Sequence, residues 1–171
     1  FNDFADLIKL SQSHNGWFTP EQVHFSIQSW SKALTEDNLN QWVSNYDFSK
    51  TEKKKVGLIL AGNIPLVGFH DFLSVLISSH DVLVKTSSSD QHLLKFLAKY
   101  LIAIQPELNS KITFVEDKLE SYDVVIATGK PNYPDGKIFE GYNAWGSSKE
   151  YFDNDIEIIR VTTYPRFKGG A

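Results

Sequence analysis

The sequence predicts an α/β fold in which a mainly parallel sheet follows a helical N-terminal lead-in. Three observations carry this. Residues 56–61 (Val-Gly-Leu-Ile-Leu-Ala) form a continuous apolar run, the pattern of a strand covered on both faces. From residue 53 to residue 129, short apolar runs alternate with stretches of helical period, as in βαβ units. Residues 1–52 hold helix starts and helical apolar stripes but no strand-like run. At 171 residues, 42% apolar and 22% charged, the chain is too apolar for disorder and too short for two full enzyme domains.

The elements follow in order. Phe4, Leu7, Ile8 and Ser11 sit at helical spacing, and Asn15-Gly16 breaks the pattern. Thr19-Pro20-Glu21-Gln22 is a helix start, with Thr as N-cap and Pro at the first helical position. The stripe Val23, Ile27, Trp30, Leu34 continues it. Thr35-Glu36-Asp37-Asn38 repeats the signal ahead of Leu39, Trp42, Val43 and Tyr46. Each helix has one apolar face and must pack on something. After the basic run 53–55 come the first strand, 56–61, and a helix expected over 66–79 with Asn63 and Pro65 at its start. A second strand spans 82–85. Ser89-Asp90 opens a helix through Leu93, Leu94, Leu97, Tyr100 and Leu101 that stops before Pro106. Strands are expected at 112–115 and 123–127. Only seven residues separate Val115 from Asp123, fewer than a parallel crossover usually takes, so a hairpin is the simpler local reading, although seven extended residues reach about 23 Å. Residues 130–171 form an aromatic- and Gly-rich tail with one convincing strand, 156–163.

The organisation expected is therefore a lead-in over 1–52, a βαβ unit over 53–129 and an unassigned tail over 130–171. Net charge is −4, which disfavours a nucleic-acid partner. No apolar stretch is long enough to span a membrane, and no signal peptide opens the chain, so a cytoplasmic location is the default. There is no cysteine, which removes disulfides, thiolate zinc sites and a cysteine nucleophile from these residues. The five histidines form no metal-binding spacing. His70, Asp71 and Ser74 share one helix, whose geometry does not aim neighbours at each other as a catalytic triad needs.

Ligands of open α/β sheets bind outside the carboxyl ends of the strands. After the first strand stand Gly62, Asn63, Ile64 and Pro65, where free amides at a helix start suit an anion. After the second stand Lys85, Thr86, Ser87, Ser88 and Ser89, a cation beside hydroxyls that suits a ribose or phosphate. After the fourth stand Thr128, Gly129 and Lys130, where glycine admits a ligand close to the backbone. The candidate nucleotide-binding residues are Gly62, Lys85, Ser87, Ser88, Thr128 and Gly129. Neither a Gly-x-Gly-x-x-Gly fingerprint nor a P-loop is present.

Residues 55–71 (Lys-Val-Gly-Leu-Ile-Leu-Ala-Gly-Asn-Ile-Pro-Leu-Val-Gly-Phe-His-Asp) resemble the opening of the nucleotide domain of LuxC-type bacterial acyl-CoA reductases, a branch of the aldehyde dehydrogenase superfamily. Residues 82–88 (Val-Leu-Val-Lys-Thr-Ser-Ser) and 122–129 (Tyr-Asp-Val-Val-Ile-Ala-Thr-Gly) resemble its second and fourth strands. The lead-in segments Asn15 to Pro20 and Ala33 to Thr35 are also similar to the family. The likeness covers about residues 1–129. It implies a Rossmann-like sheet of the aldehyde dehydrogenase type, with strand four parallel to strand three despite the short link. It implies reduction of a fatty acyl thioester, on CoA or on a protein, to an aldehyde with NADPH or NADH. It also implies that Asn63 donates a hydrogen bond to the oxyanion of the thioester intermediate, as suits a side-chain amide near a helix start. By the same likeness Lys85 contacts the adenosine ribose and Gly129 lies under the pyrophosphate. The residues after strand two lack the usual acidic ribose anchor, and Lys85 with the Thr86–Ser89 hydroxyls could take a 2′-phosphate, so NADP is expected ahead of NAD.

The chain also departs from the family. The family's nucleophile is a cysteine of a later catalytic domain, and a serine and asparagines usually follow the glycine where Lys130 and Pro131 stand here. Three readings follow: the cofactor-binding part of a reductase whose catalytic domain or homo-oligomeric partner lies elsewhere, a non-catalytic nucleotide- or acyl-CoA-binding module, or a structural remnant of the fold.

Overall fold

A computed structural model describes residues 2–128 and the backbone of residues 157 and 158. Its elements are α1 (Asn2–His14), α2 (Pro20–Ala33), α3 (Glu36–Val43), β1 (Lys55–Ile59), α4 (Phe69–Ile77), β2 (Asp81–Lys85), α5 (Leu93–Ile104), a short 3-10 helix (Pro106–Ser110), β3 (Ile112–Phe114), β4 (Val124–Ala127) and β5 (Glu157–Ile158). The strands lie in the order β3-β2-β1-β4-β5, and every described pairing is parallel. The fold is α/β, Rossmann-like, with a helical N-terminus. Of the strand expected at 156–163, Glu157 and Ile158 pair with Val124 and Val125; its other residues, and the rest of the tail from 129 on, lie outside the described residues.

The lead-in helices begin where the sequence places their caps. Thr19 Oγ1 accepts from the Gln22 amide at 3.4 Å, with Pro20 in the first turn. Thr35 Oγ1 accepts from the Asn38 amide at 3.3 Å. The hydroxyl in each case satisfies an amide that the first helical turn leaves free. Helix α3 stops at Val43, so Tyr46 falls beyond it and is exposed. Phe18 and Val23 are fully buried and share one core cluster with Leu58 of β1, Phe72 of α4, and Val82 and Val84 of β2. The lead-in thus packs into the same apolar core as the sheet. Each large apolar side chain buried there contributes about 1.5–3 kcal/mol.

The short link between β3 and β4 has to cross β2 and β1, roughly 14 Å at ordinary strand spacing. It passes over Gly57 at the centre of β1. A Cβ on Gly57 would lie 3.2 Å from Leu119 Cδ1 and 3.6 Å from Tyr122 Cγ, both in that link. Leu119 is buried there. Glycine in mid-strand leaves the room that lets so short a connection reach β4 in parallel.

Two helix starts differ from expectation. Helix α4 begins at Phe69, with Gly68 at its N-cap and no side-chain cap, so Asn63 is not the cap and Pro65 not the first helical residue. Residues 63–68 instead form two tight turns, Val67 N–H to Ile64 O at 3.2 Å and Phe69 N–H to Leu66 O at 3.1 Å. Leu66 has φ 61°, a left-handed conformation that interrupts a helix. Its amide is bonded to Asp90 rather than to the preceding turn. Helix α5 begins at Leu93, not at Ser89-Asp90, because Asp90 is turned inward to that same amide.

Candidate functional site

β1 lies between β2 and β4, and the chain moves one way from β1 to β2 and the other way to β4. Such a reversal of strand order opens a crevice at the carboxyl ends of the strands. Ile59 is in register with Lys85 on one side and Ala127 on the other, which puts Lys85 and Ala127 roughly 10 Å apart across β1. The strand ends are laced together beyond the sheet. The Leu60 amide donates to Lys85 O at 3.0 Å and the Thr128 amide to Ile59 O at 2.9 Å. Thr128 Oγ1 lies 3.5 Å from both Ala61 N and Ile59 O.

Gly62 and Ser87 come together here. A Cβ on Gly62 would fall 2.6 Å from Ser87 Cβ and Oγ and 3.2 Å from the Asp90 amide, so the loops after β1 and β2 touch at a point where only glycine fits. Ser87 Oγ accepts from the Ser89 amide at 3.2 Å, and Ser88 is exposed. Asn63 is exposed in the loop between β1 and α4. Lys85 Nζ donates to Asp117 O at 2.5 Å; an ammonium has three N–H donors, so this bond leaves donors for a ligand. Asn63, Gly62, Lys85, Ser87, Ser88 and Thr128 all stand at the carboxyl edge of the sheet. Gly129 lies outside the described residues.

Two residues at this edge carry roles that local sequence pattern does not reveal. Asn15 Nδ2 donates to Gly62 O at 3.1 Å, and Asn15 Oδ1 accepts from the Trp17 amide at 3.1 Å, tying the α1–α2 turn to the loop after β1. Asp90 Oδ2 accepts from the Leu66 amide at 3.0 Å. Asp90 is buried, and its Oδ1 has no hydrogen-bond partner. Burial pushes its carboxyl up to about 6, against the lowering effect of the Leu66 bond. The carboxylate that follows β2 is therefore turned into the protein, and the carboxyl end of β2 keeps Lys85 and hydroxyls. Close by, His92 meets His14 edge-on at 4.7 Å. Burial first, then the charges of His14 and Lys95, hold His92 below the usual histidine range.

His70 and Ser74 form no triad with Asp71. Ser74 Oγ donates to the His70 carbonyl at 2.7 Å, and His70 stacks on Trp42 at 5.5 Å. Among the described residues no group of three or more His, Asp or Glu side chains could hold a metal ion, and no helix is long and apolar enough to cross a membrane.

Fold and edge together define a Rossmann-like α/β protein whose polar residues gather at the switch point of the sheet. Architecture of this kind serves many chemistries. Residues 25–132 match the family model of the acyl-CoA reductase LuxC, and the chain belongs to that family. The matched stretch includes all of the candidate residues, from Gly62 to Gly129. No curated protein and no solved structure matches the chain.

Proposed function

We propose that this chain is the cofactor-binding part of a reductase that converts a fatty acyl thioester, on CoA or on a carrier protein, into an aldehyde with NADPH. The observation that carries the reading is the gathering of Lys85, Ser87, Ser88, Thr128 and Asn63 at the carboxyl edge of the sheet within a chain of the LuxC acyl-CoA reductase family. The donor set suits a nicotinamide dinucleotide phosphate. A cation and the exposed Ser88 hydroxyl stand at the end of β2, and Asp90, the carboxylate that follows them in the chain, faces inward, so its charge is not presented to a 2′-phosphate.

When bound, the nicotinamide supplies the hydride. The chain's own residues bind and orient. Lys85 holds the adenosine ribose or its phosphate, and its bond to Asp117 O fixes where the ammonium sits. Ser87 and Thr128 present hydroxyls on either side of β1. Asn63 donates its side-chain N–H to the oxygen that gains negative charge as the thioester carbon becomes tetrahedral. A donor already in place when that charge develops lowers the barrier more than one that must reorganise. The sequence has no cysteine, so a thiolate nucleophile comes from outside these 171 residues.

The test is titration of the 171-residue chain with NADPH and, separately, NADH, followed by calorimetry and by the fluorescence of its four tryptophans. Saturable binding is expected, tighter for NADPH and weakened about tenfold or more in Lys85→Ala, the loss of one charge-assisted contact. Absence of saturable binding by the folded chain overturns the reading in favour of a structural remnant. Aldehyde release by the chain alone overturns the claim that its nucleophile is supplied from elsewhere.

A further inference from the structure

We propose that Asn15 and Asp90 are positioning residues for the reductase reaction: together they clamp the loop Gly62–Leu66 and so fix where Asn63 stands. The inference rests on the role proposed above for Asn63. The loop is bonded on both sides of Asn63 by side chains distant in sequence. On one side Asn15 Nδ2 holds Gly62 O at 3.1 Å, across 47 residues. On the other, Asp90 Oδ2 holds the Leu66 amide at 3.0 Å, across 24 residues. Neither bond belongs to regular secondary structure. The loop needs such help, because Leu66 is buried at φ 61°, a conformation that L-residues adopt only when their surroundings impose it.

The carboxylate at position 90 is unfavourable for stability. Its Oδ1 is buried with no partner, and a buried polar atom left unpaired costs free energy. An alanine at 90 would avoid that cost but would leave the Leu66 amide without its acceptor. A group kept at the expense of stability, beside the one exposed side-chain amide of the loop, fits a role in holding that loop. Asn15 gives the clamp a second consequence. Its Oδ1 takes the Trp17 amide while its Nδ2 takes Gly62 O, so the geometry of the α1–α2 turn is passed directly to the residue before Asn63.

Amide hydrogen exchange by NMR on the 171-residue chain tests this with Asp90→Ala, Asp90→Asn and Asn15→Ala. Asparagine at 90 keeps an acceptor for the Leu66 amide, so it should rescue. The Leu66 amide is expected to exchange about tenfold faster or more in Asp90→Ala, the usual worth of a hydrogen bond to a charged group, and to return close to the wild-type rate in Asp90→Asn. Leu58, in β1, should change in both only as far as global stability changes. The Asn63 backbone resonance should shift in Asp90→Ala and in Asn15→Ala but little in Asp90→Asn. NADPH affinity should fall several-fold only in the two alanine variants. Unchanged Leu66 exchange in Asp90→Ala, a failure of Asp90→Asn to rescue, or equal acceleration at Leu58 and Leu66 overturns the clamp. If the wild-type chain binds no cofactor while the exchange pattern appears, the clamp stands and the reductase reading falls.

Discussion

Replacing Asp90 by asparagine should change the pH dependence of stability in a definite direction. In the folded chain burial pushes the Asp90 carboxyl up from 3.8 to about 6. Between about pH 4 and pH 6 the folded state therefore keeps a proton that the unfolded chain has released, and stability falls as pH rises through that window. Below it both states are protonated and the penalty for burying the charge is absent. Above it both are ionised and the whole penalty of the buried charge is present, about 3 kcal/mol, since each tenfold change in proton affinity is worth about 1.4 kcal/mol. Asparagine has nearly the same shape, does not titrate, and offers an amide oxygen to the Leu66 N–H. Its NH2 takes the place of the unpartnered Oδ1, which costs about 1–3 kcal/mol at every pH. The variant should then be the less stable of the two at pH 4 and equal or better at pH 7.5. The difference between the curves should change by about 2.5 kcal/mol between pH 4 and pH 8. Urea unfolding followed by tryptophan fluorescence at pH steps from 4 to 8 gives both curves, and subtraction removes groups that titrate alike in the two proteins. A difference curve flat to within about 0.5 kcal/mol, or one sloping the other way, refutes the assignment of a buried, raised Asp90.

Other substitutions probe the fold around the site. Gly62→Ala puts a methyl 2.6 Å from Ser87 Cβ and should destabilise by about 1–3 kcal/mol in urea unfolding, a loss partly relieved by adding Ser87→Gly. Gly57→Val drives a larger group into Leu119 and Tyr122 and should cost about 1–3 kcal/mol; Leu119→Ala in the same chain should recover part of it, and full additivity would mean the two do not meet. Phe72→Ala empties a fully buried position and should lower stability by about 3–5 kcal/mol, read from the shift in urea midpoint. Thr19→Ala removes the acceptor of the Gln22 amide and should cost about 1 kcal/mol, with helix loss confined to α2 by exchange of its first-turn amides.

What could be read from the sequence is what local rules decide. The run at 56–61 betrays β1 because a central parallel strand buries both faces: Val56 and Leu58 are buried on one, Gly57 is buried and Ile59 half-buried on the other. Thr19 and Thr35 mark helix starts because a cap acts within three residues. Lys85 is found at a strand end because β2 is short and apolar up to it. The start of α4 could not be read the same way. Asn63 and Pro65 are good cap and first-turn residues, yet a bond from Leu66 to Asp90, 24 residues on, and the left-handed Leu66 backbone outweigh that preference. Asp90 resembles a helix opener by sequence and is spent on a different element. Asn15 looks like a turn residue and is also a partner of Gly62. Gly57 lies inside an apolar run and gives no sign that the 116–122 link passes over it.

Positive φ alone does not mark the site. Ser79 and Ser121 also have it, at 65° and 58°, but both are exposed in the short segments that lead into β2 and β4, where serine is a common turn residue. Leu66 is different: the same backbone strain is buried, on an apolar side chain, and depends on a carboxylate that is itself buried with one oxygen unpaired. Strain that is covered and held by a costly partner persists only if the surrounding structure enforces it. Here the enforcement converges from the α1–α2 turn, through Asn15, and from the loop after β2, through Asp90, onto five residues that follow β1. Local preference is overridden most heavily beside Asn63, at the switch point where such a fold presents its ligand site. The α1–α2 turn that supplies Asn15 is therefore part of the construction of this loop, and the lead-in is not only a cover for the sheet. Removing residues 1–18 should disturb the Gly62–Leu66 amide resonances well before those of β2 and β3, and an unchanged loop spectrum in a folded truncated chain would refute that.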